Sequence, residues 1–301
     1  MPTAVGASES NPTANPILDY GVCNFVTSRR EAKADFLRVA HGINVGRLQA
    51  FMCKQWRLPN PGIIVQVTGS AQGFDLPAKL VKPITDGITS VASVAEAWVV
   101  TGGLDAGVMA LVGSAVARWK HKCEKAPLLG VASWRAVSNN EKLVAACGGK
   151  IEYAAEKRND RVSAGLEPNH TNFLLVDNPH GNSFGGELAV LEKLQAELKR
   201  AYGAPTVLVV IQGGEGTLET LVRSLRQGIV AVLAADSGKC ASAVSHFVRT
   251  GEVQSEWQHR AELFHEIKQL NEAAATKDEV RTPVPSLALP SPTRPAVSRP
   301  F

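Results

Sequence analysis

Six short apolar runs, each followed by a glycine or small polar turn and then by a segment of helical spacing, constrain this chain more than any other feature. They are GIIVQVTGS (62–70), AWVVTGG (97–103), LLGVASW (128–134), NFLLVDN (172–178), TVLVVIQGG (206–214) and IVAVLAA (229–235). Runs this short and this uniformly apolar read as strands buried on both faces, which in soluble proteins means a parallel sheet. The intervening segments supply the covering layers. LPAKLVKPITDGITSVASV reads as a helix despite Pro83, and DAGVMALVGSAVARWKHK and GTLETLVRSLRQ follow their strands directly. GGELAVLEKLQAELKRAY places Leu188, Leu191, Leu194 and Leu198 on one face, and further helices are expected from Lys239 to Val248 and over SEWQHRAELFHEIKQLNEAA. The predicted fold is α/β, a Rossmann-like parallel sheet with helices on both faces.

Composition removes several function classes. The chain has 301 residues, is 45% apolar and 20% charged, and carries a net charge of +4 with no block of like charges. No nucleic-acid footprint is indicated, and RWKHKCEK (118–125) reads as the solvated end of a helix. Cys23, Cys53, Cys123, Cys147 and Cys240 are odd in number and widely spaced, without a CxxC pair, so neither a disulfide framework nor a zinc site is expected. No apolar run reaches the ~18 residues of a membrane span, and the N-terminus has no secretory apolar region. A cytoplasmic protein is expected. Residues 1–18 and the proline-rich 276–301 read as disordered tails around a domain at 19–275.

In a parallel sheet, ligands sit beyond the carboxyl ends of the strands, where loops lead into helix N-termini. VTGS (67–70), VTGG (100–103) and IQGGEGT (211–217) are three such turns, each able to offer backbone N–H groups to an anion. A single glycine turn is more often architecture than site; three at one sheet edge favour a site. The candidates are Thr68, Gly69, Ser70, Thr101, Gly102, Gly103, Gly107, Gly213, Gly214, Glu215, Gly216 and Thr217. Phosphates are expected on the glycine backbone, with threonine hydroxyls as added donors, while Ser70 and Asp105 could equally cap helices. Neither GxxxxGK[ST] nor GxGxxG is present, and no lysine follows the glycines closely enough to reach a terminal phosphate. Glu187 opens a helix, and Trp98 and Trp134 flank strands; helix-dipole and packing roles suffice for them.

Taken in order, VTGSAQGFDL, AWVVTGGLDAGVM, GVASW, PNHTNFLLVDNPHG, IQGGEGTLETL and IVAVLAADSG resemble the N-terminal cytosolic region of transient receptor potential melastatin (TRPM) channels, a Rossmann-like sensor domain of the SLOG superfamily. The resemblance covers about Gly21 to Arg249. It implies a ligand-sensing module, since some of these channels bind ADP-ribose-type nucleotides there, and a role for Asn169, His170 and Asn172 in shaping the site. Asp177 and His180, at the end of their strand, are further binding candidates. A metal site from His170, Asp177 and His180 is not demanded by their spacing.

The same superfamily contains phosphoribohydrolases whose signature resembles PGGxGTxxE. Gly213, Gly214, Gly216 and Thr217 match it, but Gln212 stands at the proline and Thr220 at the catalytic carboxylate. Glu219 is one residue short, a turn of ~100° on a helix. The Glu-Arg pair of those enzymes corresponds to EPNHTNF. The expected function is therefore a non-catalytic domain binding an ADP-ribose-like or other adenine nucleotide, with no certain cofactor. The alternatives are a nucleotide N-glycosidic hydrolase using Glu219 or Glu215, and a structural domain that assembles subunits. Homo-oligomers, or channel subunits in a longer protein, are the expected partners.

Overall fold

The computed structural model describes residues 17–26, 32–93, 96–118, 126–154, 163–178 and 185–277. His180, Cys123, most of RWKHKCEK and nearly all of both expected tails lie outside them; the first strand begins at Ile17, two residues inside the expected N-terminal tail.

The described residues form one nine-stranded sheet. In chain order its strands are β1 (Ile17–Phe25), β2 (Ala32–Ala40), β3 (Ile63–Gly69), β4 (Ala97–Thr101), β5 (Leu128–Ser133), β6 (Lys150–Tyr153), β7 (Asn172–Asp177), β8 (Thr206–Ile211) and β9 (Val230–Leu233). Across the sheet they run β6-β1-β2-β7-β5-β4-β3-β8-β9. All pairings are parallel except β1 with β2, which form an antiparallel pair at one side. The expected parallel sheet is thus mixed at that end. β1 and β2 are not found by a search for uniformly apolar runs: ILDYGVCNF and AKADFLRVA put Cys23, Phe25, Ala34 and Phe36 inward with polar residues between them, the pattern of half-buried strands.

Seven helices are described: α1 (Val45–Trp56), α2 (Ala78–Ser93), α3 (Gly107–Arg118), α4 (Leu188–Tyr202), α5 (Glu215–Arg226), α6 (Lys239–Thr250) and α7 (Ala261–Lys277). Strand side chains alternate between faces, and the core divides accordingly. Val65, Val67, Val99, Phe173 and Leu175 pack against Ile88 and Ala92 of α2 and Val108, Val112 and Val116 of α3. Their neighbours Ile64, Trp98, Val100, Leu174 and Val176 face Leu48 and Met52 of α1 and Leu191, Leu194 and Leu198 of α4. A third cluster joins Leu208 and Val210 of β8 to α5, α6 and α7 through Leu218, Leu221, Val244, Phe247 and Phe264. Trp98 is core, its indole N–H donating to Pro59 O at 2.9 Å, and Trp134 is covered by the Arg38 guanidinium 4.0 Å from its ring.

Local signals set the helix ends. The Asn44 side chain caps α1 by accepting from Arg47 N at 3.0 Å, and Gly203 closes α4 in the left-handed conformation. The chain order reverses between β3 and β8: from β3 it proceeds through α2 to β4 on one side, and from β8 through α5 to β9 on the other. The crevice beyond the carboxyl ends of these two strands is where an open α/β sheet accepts a ligand.

Candidate functional site

A cleft of about 550 Å³ opens at that crevice. Its wall brings together Thr68, Gly69 and Ser70 at the end of β3, Thr101 and Gly102 at the end of β4, and Gly214, Gly216 and Thr217 at the start of α5. The floor carries Gln66, whose carbonyl oxygen accepts from Gln195 Nε2 at 2.8 Å, and the far side carries Glu187, Leu188 and Leu191 of the α4 region. The three glycine turns therefore share one cavity.

The buried Ser70 ties the loops together. Its hydroxyl accepts from Gly213 N at 3.0 Å and from Lys239 Nζ at 3.1 Å, while its carbonyl accepts from Val108 N in the first turn of α3. Gly213 N is consequently engaged, and so is Gly103 N, which donates to Thr101 Oγ1 at 2.9 Å. Those two amides are held by protein groups and do not form the expected phosphate cradle. The first turn of α5 remains: its earliest internal bonds come from Thr217 N and Leu218 N to Gly214 O, so the N–H groups of Glu215 and Gly216 lie ahead of the helical ladder.

The glycines separate by what a side chain would meet. At Gly69 a Cβ would fall 1.9 Å from Ile211 O, and at Gly107, where φ is +50°, 1.9 Å from Ser70 O. At Gly103 it would strike Gly130, and at Gly213 the Thr217 side chain. These four serve close packing, and Gly103 and Gly107 are not on the cleft wall. Gly214 and Gly216 would meet nothing within 4 Å. Glycine is a poor helix former, so its presence at Gly216 has no packing reason and keeps cleft volume open. Gly216→Ala should raise stability by about 0.5–1 kcal/mol in urea denaturation, through helix propensity, while reducing the room left for a ligand.

One residue that sequence reasoning passed over is central. Lys239 begins α6 in the left-handed conformation with φ of 52°, an uncommon state for a side chain with a Cβ. It extends its ammonium to Ser70 Oγ, to Gln72 O at 3.3 Å and to Gly73 O at 2.6 Å. No carboxylate pairs with it among the described residues. Its positive charge lies on the cleft wall beside Gly214 and is shared with an adjoining hollow of about 380 Å³ lined by Gly213, Glu215, Trp257 and His259.

The remaining candidates are placed elsewhere. His170 is 1% exposed and does not line the cleft: its Nδ1 meets Glu167 Oε2 at 2.8 Å and its Nε2 meets Thr101 Oγ1 at 2.7 Å. Asn169 also donates to the Glu167 carboxylate. The pair thus fixes the loop behind Thr101 and reaches the cleft only through that hydroxyl. Asn172 is buried at the start of β7 and accepts from Thr171 Oγ1. Asp177 ends β7 in an ion pair with Arg38. His170 and Asp177 are engaged by different partners.

The hydrolase signature departs from this chain more deeply than by two letters. Gln212 has φ of 58° and donates its N–H to Ser237 Oγ at 2.8 Å; a proline there could do neither. Thr220 is buried and donates to Gly216 O, and Glu219, at the cleft edge, is held by Arg260. Glu187, half-buried on the opposite wall, has its carboxyl pushed above the usual range by desolvation, partly offset by backbone donors including Gly185 N.

Comparison with known proteins identifies the family. Residues 34–281 match the family profile described as SLOG in TRPM. The chain belongs to the SLOG family of TRPM channels. It is 29% identical over 247 residues to transient receptor potential cation channel subfamily M member-like 2 of Nematostella vectensis, covering 77% of this chain and 16% of that protein. Mouse subfamily M member 2 is 30% identical over 223 residues, 70% of this chain and 15% of its own length, and Drosophila trpm is 30% identical over 238 residues, 75% and 12%. This SLOG chain spans about one-sixth or less of these relatives. No helix among its described residues is long and apolar enough to cross a membrane.

Proposed function

We propose that this SLOG domain binds an anionic adenine nucleotide of ADP-ribose type across the carboxyl ends of β3, β4 and β8, and that it senses this ligand without cleaving it. The observation that carries the reading is the convergence, in one cleft, of a lysine without a carboxylate partner among the described residues, the free first turn of α5 and two glycines that leave space open. A phosphate between Lys239 and the amides of Glu215 and Gly216 would gain charge-assisted hydrogen bonds and the helix dipole together. The apolar wall of Leu188, Leu191 and Met109 suits the base or sugar. The domain would act at the cytosolic face as the sensing part of a TRPM-type assembly.

Calorimetric titration with ADP-ribose, cyclic ADP-ribose, AMP and NAD tests the reading, and heat-silent titrations with all four would sink it. Lys239→Met should weaken a binding nucleotide about thirtyfold, since one charge-assisted contact contributes about 2 kcal/mol. Equal affinity in wild type and variant would remove Lys239 from the site.

One feature favours a second reading. Glu187, with its raised proton affinity on the cleft wall, suits a general acid for N-glycosidic cleavage better than Glu215 or Glu219, which are held by His259 and Arg260. Base release from AMP that disappears in Glu187→Gln would establish hydrolysis.

A further inference from the structure

Glu215 and Glu219 place two carboxylates on the first turns of α5, Glu219 on the cleft wall and Glu215 in the adjoining hollow. Such residues suit a helix N-terminus, but beside an anion seated at the same terminus they would repel it. In the structure neither carboxylate is bare. His259 Nε2 lies 3.1 Å from Glu215 Oε1, Arg260 Nε lies 3.7 Å from Glu215 Oε2, and the Arg260 guanidinium donates to Glu219. Both side chains come from the short 3-10 segment Ser255–Arg260, which leads directly into α7. At the other end of α5, Arg226 holds Glu266 of α7 through bonds of 2.6 and 2.9 Å. Arg260 Nε is itself buried without a hydrogen bond, so the guanidinium keeps an unused donor.

We infer that the 255–260 turn is a working part of the anion site: Arg260 and His259 mask the two carboxylates that guard the start of α5, and an anion seated there in turn holds the turn docked. This rests on the cleft's binding an anion, as proposed above. At these separations, removing a masking cation exposes the ligand to like charge through a partly aqueous medium, an effect of several-fold in affinity. Linkage requires the converse, since a group that improves binding must itself be stabilised by the ligand. Occupancy of the cleft is thereby communicated to α7.

The full chain is titrated calorimetrically with pyrophosphate and with ADP-ribose. Arg260→Ala should weaken binding about fivefold, Glu219→Gln should tighten it about threefold, and the double variant should return to within about twofold of wild type. Hydrogen exchange over residues 255–277 should slow when either ligand is added. A double variant as weak as Arg260→Ala would overturn the inference, because Arg260 would then act by packing alone. Unchanged or weaker binding by Glu219→Gln would overturn it too, and that variant decides the matter by itself if Arg260→Ala does not fold. Binding of pyrophosphate without ADP-ribose would remove the nucleotide reading and leave the masking intact; binding of neither removes both.

Discussion

Gly107→Ala is expected to lower stability by about 3 kcal/mol or more, measured as a drop in melting temperature of about 8 °C. Two costs combine. With φ at +50° the backbone is in the left-handed region, where a Cβ costs about 1 kcal/mol. The new methyl would also sit 1.9 Å from Ser70 O and 2.8 Å from Ala71 Cα, both backbone atoms that cannot rotate away. Relief requires the loop after β3 to part from α3, which breaks the Val108 N to Ser70 O bond and loosens the Ser70 hydroxyl that anchors Gly213 and Lys239. A stability within about 0.5 kcal/mol of wild type would show that the two loops are not packed as described. The contrast with Gly216→Ala is the useful part, because the same substitution two loops away should stabilise the fold.

That contrast shows what the sequence could and could not convey. GxG patterns mark turns, and one chain carries no record of which glycine is packed against a carbonyl and which opens onto solvent. The six apolar runs were legible as strands because both faces of the sheet centre are covered, and β1 and β2 were passed over because their polar residues break the uniform run, although their alternation is itself a strand signature. Lys239 was invisible for a related reason. Its contacts with Ser70 and Gly73 join positions more than 160 residues apart, brought together by the reversal of strand order between β3 and β8.

His170 was legible as a residue with a role and misjudged in position, and it supplies the second large effect. It precedes β7, yet the short β4 ends level with Gly130 of β5, which lets the 163–171 segment fold over and set the imidazole against Thr101. Glu167, 2% exposed, is held there by His170 and Asn169. His170→Leu should therefore cost about 3 kcal/mol in urea denaturation, because a buried carboxylate loses a partner that no water can replace. Glu167→Gln in the same background should recover part of that loss by removing the charge, whereas a residue that merely filled space would show additive or unrelated effects. If the cleft binds a nucleotide as proposed, that binding should suffer as well, since Thr101 Oγ1 loses the group that orients it at the cleft wall. On the proposed reading the buried pair would act on a ligand through a single hydroxyl: Thr101→Val should reproduce the binding loss of His170→Leu while leaving Glu167 paired, at a separate cost of about 1–3 kcal/mol for the unpartnered Gly103 N and His170 Nε2.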